Sequence, residues 1–141
     1  MHKQGIYYNG SIGAATLRRD GFCAMVADGL GEIVTKELSF SGDCLFVNAE
    51  CRFGALAAEV LGPDGKVLDG FSAADCTCLA NADSTKAQLR FKGGALPKGG
   101  VRLRFKMHCA SLYSFWVSDA SGVSRGYVAG GGPAYSGLRD E

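Results

Sequence analysis

From Val101 to Cys109, apolar and basic residues alternate without a break. Val101, Leu103, Phe105 and Met107 occupy the odd positions; Arg102, Arg104, Lys106 and His108 occupy the even ones. Only an extended strand sends successive side chains to opposite faces, so the pattern predicts a strand with one buried and one basic face. Thr85 to Lys92 repeats it, with Ala87, Leu89 and Phe91 against Lys86, Gln88, Arg90 and Lys92. Shorter apolar runs predict further strands at Ile12–Leu17, Phe22–Val26, Ile33–Phe40, Cys44–Ala49, Leu56–Leu61, Lys66–Leu68 and Leu112–Val117. Turn formers separate them: Arg19-Asp20-Gly21, Ser41-Gly42-Asp43, and Gly62-Pro63-Asp64-Gly65, where Pro presets φ and Gly accepts a positive one.

No window carries a helical period; Ser72–Asp75 is one turn at most. The expectation is an all-β chain, an antiparallel two-sheet β-sandwich of jelly-roll type with about eight or nine strands. Val47, Leu89, Leu103, Phe105 and Phe115 lie on apolar sides of their strands and are the expected core. The Gly- and Ser-rich stretch after Val117, with Gly130-Gly131-Gly132-Pro133, is expected to wrap the surface or to lack order.

Composition changes this picture little. A chain of 141 residues suits one domain with an ordinary core. The formal charge of +1 argues against a surface built for nucleic acid. No apolar run approaches the ~20 residues of a membrane span. The start, Met1 to Tyr8, has a Lys but no apolar core segment, so no signal peptide is read there and a cytoplasmic location is expected for the chain as written. The six cysteines include no Cys-x-x-Cys pair. Cys23, Cys44 and Cys109 fall in apolar patterns and read as small buried hydrophobes, ahead of disulfides or a metal site. Cys76 and Cys78 read as the most exposed. No cofactor and no metal is expected.

Six stretches carry a resemblance when taken together. They are Ile6-Tyr-Tyr-Asn-Gly with Ile12-Gly-Ala-Ala-Thr, Leu17-Arg-Arg-Asp-Gly-Phe22, Leu45-Phe-Val-Asn48, Asp83-Ser-Thr85, Leu112-Tyr-Ser-Phe-Trp-Val117 and Arg125-Gly-Tyr-Val-Ala-Gly-Gly-Gly-Pro133. The set resembles the C-terminal part of bacterial proteins related to five-bladed β-propeller glycoside hydrolases. The resemblance implies three parts: residues 1–16 as a stub of the last propeller strand, 17–118 as the β-sandwich, and 119–141 as a Gly-rich tail. The propeller that would carry catalytic carboxylates is missing, so the resemblance implies a non-catalytic, carbohydrate-binding-like or accessory module. A structural or protein-interaction domain without a small ligand is the alternative.

Candidate sites follow, each beside a plainer reading. Arg102, Arg104 and Lys106 form a basic face that suits an anionic ligand, joined by Lys86, Arg90 and Lys92 if the two alternating strands are neighbours. The plainer reading is a solvated face paired across strands with Glu59 or Glu37. Trp116 shares a face with Leu112, Ser114 and Ser118, where it suits stacking on a sugar ring. Burial under the tail, covered by Tyr127 or Tyr135, is the favoured rival. Asp20, Asp43, Asp64, Asp75 and Asp83 sit in turns and read as turn caps ahead of calcium ligands or hydrolytic acids. His108 and Cys109 should face opposite ways, which argues against a catalytic dyad. Ile6, Tyr7 and Tyr8 would be exposed without a propeller, so they are expected at or near the interface of a homodimer.

Overall fold

A computed structural model describes residues 11–123 and, as backbone, 127–129. The described residues are all-β with no helix. They form β1 (Met25–Val34), β2 (Cys44–Leu61), β3 (Leu79–Leu89), β4 (Arg102–Ser118) and β5 (Tyr127–Ala129). All pairings are antiparallel, in one sheet of order β1-β4-β2-β3. β2 covers β4 along nearly its whole length, so β5, which pairs Ser114–Trp116, continues the edge that β1 occupies from Arg104 to Leu112. Three residues of the expected tail therefore join the sheet.

Nine expected segments give four strands, because three pairs run on through bulges and two segments form no strand, Lys66–Leu68 making only an isolated bridge from Val67 to Leu61; β5 comes from the expected tail. Phe22–Val26 and Ile33–Phe40 contribute to β1, Cys44–Ala49 and Leu56–Leu61 to β2, and Val101–Cys109 and Leu112–Val117 to β4. Ile12–Leu17, expected as a strand, is not one. The Gly62–Gly65 turn forms as expected, with Gly65 at φ 77 and Gly65 N–H donating to Gly62 O at 2.9 Å.

The bulges lie on one line across the sheet. The register slips between Ala27 and Leu30 in β1 and between Cys51 and Ala55 in β2. Cys109 in β4 and Asn81 in β3 take positive φ, 44 and 48. An extra residue bends a strand and reverses which face its side chains take. In β2 the core residues are Leu45, Val47, Ala49 and Cys51 before the line and Leu56, Ala58 and Val60 after it. In β4, Leu103, Phe105 and Met107 give way to Ala110 and Leu112. A second slip at Tyr113 then turns Phe115 and Val117 inward.

The sheet folds over on this line. Phe105 and Phe115 would stand about 33 Å apart on a straight strand, yet their ring centroids are 4.9 Å apart. The two halves of one sheet thus enclose the core between them. Gly54 is the residue the fold requires at the corner: a Cβ there would fall 1.8 Å from His108 O and 2.6 Å from Cys109 O. The expected core residues Val47, Leu89, Leu103, Phe105 and Phe115 are all buried.

Candidate functional site

Trp116 is 3% exposed, so burial, the favoured reading, holds. It lies on the outer face of the sheet with Ser114 and Ser118; Leu112 has been turned inward by the slip at Tyr113. Phe46 stacks on its ring at 5.6 Å and 13°. Asp119–Val123 supplies cover: Trp116 Nε1 donates to Gly122 O at 3.3 Å. Lys86 closes the same patch, its Nζ 5.7 Å from the Phe46 ring centroid and donating to Ser121 O at 2.8 Å. Tyr127 is described only as backbone paired with Trp116, and Tyr135 lies outside the described residues.

The basic face is divided and largely neutralised. β2 lies between β3 and β4, so Lys86, Arg90 and Lys92 do not adjoin Arg102, Arg104 and Lys106. Arg104 donates through Nε to Glu59 Oε2 at 2.6 Å, and Lys106 Nζ lies 3.1 Å from Oε1. Glu59 is buried and also accepts from Ala73 N–H at 3.2 Å. Burial pushes the Glu59 carboxyl up, but hydrogen bonds from Lys106, Ala73 N–H and Arg104 outweigh it and hold the group below the ordinary range. Arg102 remains exposed. The cross-strand partner expected at Glu59 is the one observed.

Four of the stretches that carry the resemblance converge on one point of the outer face. Arg18 Nε donates to Asn48 Oδ1 at 2.6 Å, and Asn48 Nδ2 donates to Arg19 O at 2.5 Å. Arg18 also pairs with Asp83 and lies 4.6 Å from the Tyr113 ring centroid. Arg52 donates to the second oxygen of Asp83 at 2.8 Å. Hydrogen bonds from Arg52 and Arg18 hold the Asp83 carboxyl below its ordinary range. Asp83, read as a turn cap, is thus an anchor for the Leu17–Phe22 turn.

Beside this anchor, at the corner of the sheet, a cleft of about 270 Å³ opens among Val26, Asp28, Glu50, Arg52, Phe53 and Ser111. Phe53 is 88% exposed. Arg52 lies 3.3 Å from Glu50. Sequence reasoning missed this place, because Glu50–Gly54 falls between two expected strands. Its one signal was the lapse of alternation in Glu50-Cys-Arg-Phe-Gly54.

Cys109 lines the same cleft and corrects a sequence argument. Its positive φ breaks the alternation, so its thiol lies on the side of its neighbour, 3.8 Å from His108 Nε2. The thiol donates to Asp28 O at 3.2 Å. None of the six cysteines forms a disulfide. Cys23, expected inside, is exposed; Cys51 is the buried one, and burial pushes its thiol up. Cys78 is exposed and Cys76 half-buried. Among the described residues, no three His, Cys, Asp or Glu side chains come together as metal ligands. No helix there is long and apolar enough to cross a membrane. Ile6, Tyr7 and Tyr8 lie outside the described residues.

No family model matches the chain, and no similar curated protein or solved structure is found.

Proposed function

We propose that the chain is a non-catalytic accessory module, a jelly-roll-like sandwich whose two layers come from one folded sheet. Its ligand is a neutral sugar held in the cleft at the corner. The observation that carries this reading is Phe53, exposed at the rim of a cleft that also holds the Glu50–Arg52 pair. A sugar ring offers an apolar face to an aromatic and hydroxyls to planar charged groups, and this cleft supplies both kinds of contact. Its volume suits one ring. Arg104 and Lys106 already face Glu59, so the strand that looked most suited to an acidic glycan retains only Arg102 as an exposed, unengaged guanidinium. The resemblance to the accessory region of propeller hydrolase relatives agrees with a role in binding and transfers no active site.

The test is saturation-transfer NMR or affinity electrophoresis against neutral and acidic glycans, with Phe53→Ala and Arg52→Ala beside the parent chain. Binding at about millimolar strength, lost in both variants, supports the reading. Absence of binding to every glycan, or binding that survives Phe53→Ala, refutes it.

A further inference from the structure

The segment just before the anchored turn stands apart from the rest of the molecule. Residues 11–17 are exposed throughout, Ile12 completely so, and Leu17 is 59% exposed. Among the described residues, none of the seven has a hydrogen-bond partner. The run Ser11-Ile-Gly-Ala-Ala-Thr-Leu17 has no charge and no proline, so it lacks the residues that guard against pairing with a sheet edge. Its root is fixed, since Arg18 and Arg19 are held by Asn48 and Asp83. A preset exit lowers the entropy lost when the arm is captured.

One sheet edge of this chain is suited to receive it. β1 ends the strand order and pairs only with β4, which leaves its outer edge unpaired among the described residues. Along that strand Val26, Leu30 and Val34 are exposed, Leu30 by 90%. β1 carries Asp28 and Glu32 and no Lys or Arg. Two β1 edges facing each other would crowd acids together, whereas the uncharged arm, followed by the exposed Arg19, meets an acidic edge without repulsion. The arm's root lies over β2, separated from β1 by β4. Its own β1 edge is therefore less directly placed than that of a facing copy.

We infer that Ser11–Leu17 is a strand-donating arm, and that its acceptor is the β1 edge of a second copy of this chain. Reciprocal donation closes a two-fold dimer with two identical junctions. Sedimentation velocity on the full chain at about 100 µM, well above a dissociation constant of about 10 µM, tests it. The parent chain should sediment as a dimer. Ile12→Asp in the arm and Leu30→Lys on the edge should each weaken the dimer at least ~tenfold, about 1.4 kcal/mol. An equimolar mixture of the two variants should dimerise better than either alone, because one junction of the mixed pair keeps a native arm and a native edge. Both changed side chains are exposed, and the fluorescence of buried Trp116 reports that each variant is folded. A monomeric parent chain, a dimer indifferent to both variants, or a mixture no better than its components overturns the inference.

Discussion

Arg18 and Asn48, 30 residues apart, meet through a 2.6 Å hydrogen bond on the outer face of the sheet, and the Asn48 side chain is wholly buried. Both ends of the Asn48 amide are used, one on the Arg18 guanidinium and the other on the Arg19 carbonyl. This asparagine therefore ties the N-terminal turn to the sheet. Asn48→Ala should cost about 1–3 kcal/mol, since it leaves the part-buried Arg18 Nε–H and Arg19 carbonyl without their partner. Urea unfolding measures it; a loss below ~0.5 kcal/mol would mean the turn is held by Asp83 instead.

The corner makes a second demand. Gly54→Ala places a methyl group into the His108 and Cys109 carbonyls, backbone atoms that cannot swing aside. Gly13→Ala meets nothing within 4 Å. The first should lower stability by more than ~3 kcal/mol, in the range of severe steric changes, and the second by less than ~0.5 kcal/mol. Equal melting temperatures for the two variants would contradict the corner.

Phe105 is wholly buried against Phe115. Phe105→Ala should cost about 3–5 kcal/mol through lost transfer energy and the cavity left behind. A loss under ~1 kcal/mol in denaturant unfolding would mean that the two halves of the sheet do not close on this pair.

Glu59 makes stability depend on acid. Its carboxyl is held below the ordinary value, so the folded chain binds its proton less readily than the unfolded chain does. Its stabilising contribution is then fully present above the unfolded value of about 4.3 and is lost as pH falls through the lower folded value. Glu59→Gln should flatten the stability profile below about pH 5. It should also cost about 1–2 kcal/mol at neutral pH, because Arg104 and Lys106 lose the charge between them but stay partly in solvent. An unchanged acid slope in unfolding from pH 6 to pH 3 would remove Glu59 from this role.

Thiol access follows burial. Cys23 and Cys78 should react first with a large alkylating reagent, and Cys51 only as the chain opens, because it is enclosed and its thiol is pushed up by burial. Peptide mass spectrometry over a time course gives the order; early labelling of Cys51 would show that the β2–β3 pairing opens locally.

Much of this was legible in the chain. Alternation in Val101–Met107 placed Leu103 and Phe105 inside and Arg104 and Lys106 outside, and the plainer reading of that face offered Glu59 or Glu37 as its cross-strand partner. The Gly62–Gly65 turn was equally plain. Both are local facts: side-chain direction follows from a two-residue period, and turn type from the φ angles that Pro and Gly allow. The candidate cleft was not legible, because Phe53 reads as one more apolar residue until the strand around it bends.

Residue order alone dictates that the chain is built of strands, where its tight turns fall, and which residues of each straight run face the core. That two long strands pass through a corner at Gly54 and Cys109 instead of ending there is a result of folding. The reason is that a bulge is a property of a pair of strands: the extra residue exists only relative to the partner it fails to match. That one mismatch reverses the faces beyond it, sets Cys109 beside His108 and leaves Phe53 in the open; with the second slip at Tyr113 it brings Phe105 onto Phe115.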